Sequence, residues 1–180
     1  MAGRLEVHYQ TGVTVLNESG EATDLIPVQD MALSDWGFVY ERWVGLELEQ
    51  QGWEVDYRGL TLGLLDKGID LVAFSEGRTR FLQCKFIHTP FGKQTIEQVL
   101  YNGSQYLHKQ QLNRSDVYEL VVPYLEKAFP PIRKKNKPLT ENFQMRRFLG
   151  HNQIQSRIRL SITEVAMDIK CPVRGAPRLK

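Results

Sequence analysis

The chain has 180 residues, 42% of them hydrophobic and 24% charged, an ordinary composition for a water-soluble globular protein. No apolar run approaches the roughly 18 residues that a membrane helix needs, and no signal-peptide pattern opens the chain, so contact with a membrane is not expected. Two cysteines, Cys84 and Cys171, are too few for a disulfide framework or a zinc site, which suits a reducing, cytoplasmic setting. The length is most simply one domain over 1–180, large enough to bury a core. The net charge of +2 hides an asymmetry, since residues 1–90 carry 7 Lys/Arg against 14 Asp/Glu and residues 91–180 carry 16 against 7. An acidic half that can hold a metal and a basic half that can hold a polyanion suit a metal-dependent nucleic-acid enzyme. The alternative is that these charges only solvate the surface.

Residues 1–33 alternate weakly. Leu5, Val7 and Tyr9 interleave with polar residues, and Asn17 to Gly20 form a turn signal, so a hairpin or a strand-and-loop embellishment is expected. Residues 35–51 form the best helix, with Trp36, Val39, Tyr40, Trp43 and Leu46 at helical spacing, Ser34 or Asp35 as cap and Gly52 as stop. Within it Glu41 and Glu47 are candidates for function, although a helical glutamate is most often only solvated. Trp53 to Tyr57 resumes as a strand.

The stretches Gly63–Phe74 and Phe81–Phe86 read as two further strands, joined by the polar turn Ser75-Glu76-Gly77-Arg78. Alternation puts Gln83 and Lys85 on one face and turns Leu82, Cys84 and Phe86 to the other, into apolar packing. Paired as a hairpin, these strands bring Asp70, Gln83 and Lys85 to one end of a small sheet. A lysine in an otherwise apolar strand is costly to bury unless an acid or an anion answers it.

Thr95 and Gln98 fit a capping box for a helix running to about Gln111, whose buried stripe includes Ile96, Val99, Leu100, Gly103 and Leu107. Gly103 on that stripe predicts close packing against the sheet. Tyr118–Val122 is a strand, and the proline-rich, basic stretch 123–140 reads as a loop. A short helix from about Glu141 to Leu149, capped by Thr140 and ended by Gly150, precedes a strand over Arg157–Ile162. The order of helix, three strands, helix, strand, helix and strand predicts an α/β domain with a mixed β-sheet flanked by helices.

Tyr40-Glu41 in the first helix, Gly52 eleven residues on, Asp66-Lys67-Gly68-Ile69-Asp70 entering a strand and Gln83-Cys84-Lys85 on the next resemble the PD-(D/E)xK nuclease superfamily. Among its branches the pattern looks most like the Mrr-like restriction endonucleases, in which glutamine replaces the usual acid two residues before the lysine. The resemblance covers roughly residues 36–122. It leaves 1–33 as an embellishment and 123–180 as a basic extension.

The resemblance implies a restriction-endonuclease-like fold and a Mg²⁺-dependent endonuclease acting on DNA, with Mn²⁺ as a substitute. Asp70 would ligate the metal directly, with the Gln83 amide oxygen and the Cys84 backbone carbonyl, and Glu41 would restore the charge that the amide lacks. Lys85 would orient or deprotonate the attacking water and oppose phosphate charge. Asp66 is read as a turn residue. His88 and Gln98 either line the site or are loop surface and helix cap. Arg133, Lys134, Lys135 and Lys137, with Arg146 and Arg147 and then Arg157 and Arg159, are candidates for gripping DNA phosphates. A junction-resolving nuclease and a catalytically silent DNA-binding module on the same fold stay open as alternatives, as does a homodimer.

Overall fold

The computed structural model describes residues 4–8, 12–16, 19–59, 68–131, 142–150 and 158–167. Three short strands, β1 (Arg4–His8), β2 (Gly12–Leu16) and β3 (Ala22–Pro27), form an antiparallel meander in the order β1-β2-β3. The N-terminal hairpin expectation thus resolves into three strands. A 3-10 turn over Val28–Asp30 leads to helix α1 (Leu33–Gln50). The helix starts earlier than the sequence suggests, at Ala32 as cap, because Asp35 acts from inside the first turn. Its Oδ2 accepts the Ala32 N–H at 2.7 Å, satisfying a donor that alanine's own side chain cannot.

The second sheet has five strands in the order β4-β5-β6-β7-β8: β4 (Glu54–Tyr57), β5 (Leu71–Ser75), β6 (Arg78–Cys84), β7 (Val117–Val122) and β8 (Arg159–Glu164). The first three run antiparallel, whereas β6-β7 and β7-β8 are parallel, so the sheet is mixed. Glu76 and Gly77, both at positive φ (45° and 73°), make the two-residue turn of the β5-β6 hairpin, a backbone twist that matches the twist of the flanking strands. Of the strand expected over Gly63–Phe74, the described part from Gly68 on enters β5 at Leu71. Gly68 takes a left-handed φ of 74° and turns the chain into the sheet, while residues 60–67, Asp66 among them, lie outside the described part.

Between β6 and β7 runs helix α2 (Lys93–Leu107), and after β7 come the single turn α3 (Leu125–Ala128) and the short helix α4 (Phe143–Leu149). The Thr95 capping box does not form. Phe91 is buried and its N–H is held by Ala128 O at 2.9 Å, which fixes the loop and lets the helix start at once from Gly92. Gln98 bonds forward to Asn102 instead, at 2.6 Å. In α4 the cap is Asn142, whose side chain accepts the Gln144 N–H at 2.8 Å; Thr140 lies outside the described residues, and Gly150 ends the helix as expected.

The sheet separates two apolar cores. On the α2 face Val72, Phe81, Tyr118, Leu120 and Val122 meet Ile96, Val99, Leu100 and Leu107, with Phe148 of α4. On the α1 face Leu71, Ala73, Leu82, Cys84 and Val121 meet Trp36, Val39, Tyr40, Val44 and Leu48, and Val13 of the small sheet joins them. Strand β7 is buried at all six positions, as its nearly continuous apolar sequence requires of a strand covered on both faces. Gly103 lets α2 lie against Tyr118; a β-carbon there would strike the phenol ring. Among the described residues no helix is long and apolar enough to cross a membrane.

Candidate functional site

The antiparallel pairing of β4 and β5 and the parallel run of β6, β7 and β8 put the carboxyl ends of four strands and the start of β5 at one edge of the molecule. Ligands of open α/β sheets gather at the carboxyl ends of the strands. Asp70 stands there, one residue before β5, and is only 5% exposed. Its N–H donates to Leu82 O at 2.9 Å and its carbonyl accepts the Gly59 N–H at 2.8 Å, which ties it to both neighbouring strands. Its Oδ2 accepts the Cys84 N–H at 2.6 Å. The side chain thus carries the β5-β6 ladder one step past the strand, and the carboxylate is held without freedom to turn away.

Glu41 comes in from α1. A β-carbon on Gly59 would strike Glu41 Oε2, itself a buried oxygen, and would come within 3.5 Å of the Asp70 Cα. One glycine therefore separates the helix glutamate from the strand-start aspartate. Lys85, half-buried, follows Cys84 as β6 ends, and its N–H donates to Val121 O at 2.9 Å. The buried Cys84 thiol registers all three charges. Burial pushes it well above its ordinary value, Asp70 and Glu41 push it further, and the Lys85 ammonium pulls it back. Cys84 itself belongs to the α1-side core, as alternation predicts.

Gln83 is where the arrangement departs from expectation. It is 2% exposed and faces α2. Its Oε1, expected on a metal, stands 2.9 Å from the hydroxyl of Tyr118, which donates to it. The other end of the amide faces Gly68 and Asn102; a β-carbon on Gly68 would lie 3.1 Å from Gln83 Nε2. Magnesium and manganese prefer oxygen ligands, and Mg²⁺ needs only one or two carboxylates from a protein. Asp70 and Glu41 are the carboxylates available for that need: Gly59 lies between Glu41 Oε2 and the Asp70 backbone, and the Cys84 thiol feels both acids and the Lys85 ammonium. Among the described residues no three His, Cys, Asp or Glu side chains are placed to hold a metal by themselves. The protein's share would have to include backbone or amide oxygens.

The remaining candidates divide. His88 is half-buried between the rings of Phe86 and Tyr124, with centroids at 4.8 and 5.7 Å, and its imidazole is held below its ordinary value by burial and then by Lys127. Gln98 lies on the exposed face of α2, paired with Asn102. Arg147 on α4 is bound to Glu97 of α2 at 2.5 Å, which leaves Arg146 as the exposed arginine of that helix. Arg159 is exposed on β8. Arg133, Lys134, Lys135, Lys137 and Arg157 lie outside the described residues.

Tyr118, Gly59 and Asn102 are not among the site residues that the sequence predicts. A tyrosine in a strand buried on both faces needs a partner for its hydroxyl, and a glycine just past a strand end marks a close approach; those two signals were there to be read. Glu47 lines a cavity of about 150 Å³ between α1 and the ends of β7 and β8, with Arg80 and Thr163; it contains none of Glu41, Asp70, Gln83 or Lys85. Comparison with protein-family models, with curated proteins and with solved structures found no match to this chain.

Proposed function

We propose that this chain is a metal-dependent DNA endonuclease, hydrolysing phosphodiester bonds at a site of the PD-(D/E)xK type. The observation that carries the reading is the meeting of Glu41, Asp70 and Lys85, from a helix, a strand entry and a strand exit, around Gly59 and Cys84. Three charged side chains far apart in sequence are costly to gather beside a core, and no packing need explains them together.

Asp70 and Glu41, with the Cys84 carbonyl, would hold Mg²⁺ or Mn²⁺. When bound, the cation would supply charge neutralisation for the phosphate and a water of lowered pKa. The chain's own contribution is position and charge. Asp70 is fixed at three points, so little reorganisation is left for the moment of reaction. Lys85 sets a positive charge against the phosphate oxygens and orients a water for in-line attack. The basic C-terminal half would hold the DNA backbone.

One observation favours a second reading. With the Gln83 oxygen turned to Tyr118, the metal share of the site is smaller than the family pattern asks, which is what a silent DNA-binding module on this fold would show. Incubation of the purified protein with supercoiled, linear and four-way-junction DNA, in Mg²⁺, Mn²⁺ and EDTA, separates the readings. Metal-dependent cutting of duplex DNA supports a restriction-type enzyme, and cutting confined to junctions supports a resolvase. Binding without cutting in either metal supports the silent module and overturns the proposal.

A further inference from the structure

Tyr118 is fully buried between β7 and α2, and its one hydroxyl proton faces two oxygens, Val99 O at 3.0 Å and Gln83 Oε1 at 2.9 Å. One proton cannot serve both at full strength, and two oxygens at that distance with no proton between them repel. The oxygen and nitrogen of a side-chain amide occupy nearly the same volume, and hydrogen bonding decides which end goes where. Turning the Gln83 amide by half a revolution resolves the conflict. Its N–H then donates to the Tyr118 oxygen, Tyr118 donates to Val99 O, and both short contacts hold a proton.

We propose that Tyr118 is a positioning residue. It takes the Gln83 amide nitrogen and so turns the Gln83 carbonyl oxygen toward Gly68, two residues before Asp70. This rests on the metal-dependent reading for its consequence but not for its geometry. Two features support it. Gly103 gives the ring room against α2, bringing the hydroxyl to the helix carbonyl. The outward end of the amide lies at Gly68, two residues from Asp70, where an oxygen can share a hard cation and a nitrogen cannot. It also accounts for glutamine here. A carboxylate at position 83 has no N–H to give the Tyr118 oxygen and would compete with Val99 O for its one proton.

The test is made first on the metal-free wild-type protein by NMR, with the glutamine side-chain amides labelled and Gln83 assigned by comparison with Gln83→Glu. Nuclear Overhauser contacts from the Gln83 NH₂ protons to the Tyr118 ring, with slow exchange that becomes fast in Tyr118→Phe, are expected. Contacts from those protons to the Gly68 α-protons instead would overturn the proposal, whether or not the protein cuts DNA. If it does cut, Tyr118→Phe is expected to raise the Mg²⁺ concentration for half-maximal rate by about tenfold or more, as removal of a ligand's supporting partner does elsewhere. An unchanged requirement in a folded Tyr118→Phe would overturn the functional part.

Discussion

Single residues here are fixed by what surrounds them. Asp70 illustrates it: a lone aspartate before a strand is an ordinary turn residue until its carboxylate replaces a missing backbone acceptor for Cys84 N–H. His88 offers a pH test of the same logic. Burial first, and Lys127 second, lower its pKa from the ordinary 6.5. The unfolded chain therefore binds a proton at higher pH than the folded one. The stability contributed by the neutral ring is complete above about pH 6.5 and is lost as pH falls through the lower folded value. The urea midpoint of the wild type should fall more steeply between about pH 7 and pH 5 than that of His88→Gln. Parallel slopes in the two proteins would show that His88 does not feel its neighbours. Gly59 makes a sharper test, because any side chain there meets Glu41. Gly59→Ala should cost about 1–3 kcal/mol from overpacking and should lower cleavage by displacing Glu41. Full activity at wild-type stability would remove Glu41 from the site.

At the level of elements, a part-buried ion pair lies on the α1 face of the sheet. Arg80 donates to both oxygens of Glu119, at 2.5 and 2.8 Å, and Thr163 adds a third bond at 2.6 Å, linking β6, β7 and β8. Glu119→Ala should cost about 3 kcal/mol, the lower end for breaking a buried pair, since Arg80 is 20% exposed and can reach water. Denaturant unfolding measures it, and a loss under about 1 kcal/mol would show the pair to be replaceable. The elements themselves were largely legible. Helix α1, strands β4, β5 and β6, helix α2 and strand β7 were each legible as apolar patterns, and Gly103 by its place on the buried stripe. The boundaries were not. The start of α1 depends on Asp35 reaching backward, that of α2 on Phe91 being pinned by Ala128, and that of β5 on Gly68 turning the chain. Each is a tertiary or cap contact that local propensity does not encode. In the site, alternation placed Gln83 and Cys84 on their correct faces but could not say what Gln83 would meet, because Tyr118 arrives from a strand 35 residues away.

Across the whole molecule, a five-stranded mixed sheet with helices on both faces gathers an acidic group at one end, and the second half of the chain carries the excess of positive charge. The proposed function assigns that division a purpose, in which the basic half would hold DNA and Glu41, Asp70 and Lys85 would cut it. The basic part is tested by salt. Arg146→Ala should weaken binding to all sequences alike and flatten the slope of log affinity against log salt by about 0.9 on duplex DNA, whereas an unchanged slope would place Arg146 off the DNA. The acidic part is tested most directly by comparing Asp70→Asn with the wild type, for DNA cleavage in saturating Mg²⁺ and for DNA affinity in the same buffer. Asparagine keeps the shape and can still accept the Cys84 N–H, but it removes the charge. Cleavage should fall roughly 100-fold or more while affinity and unfolding midpoint stay close to the wild type. Cleavage by Asp70→Asn at the wild-type rate would contradict the account.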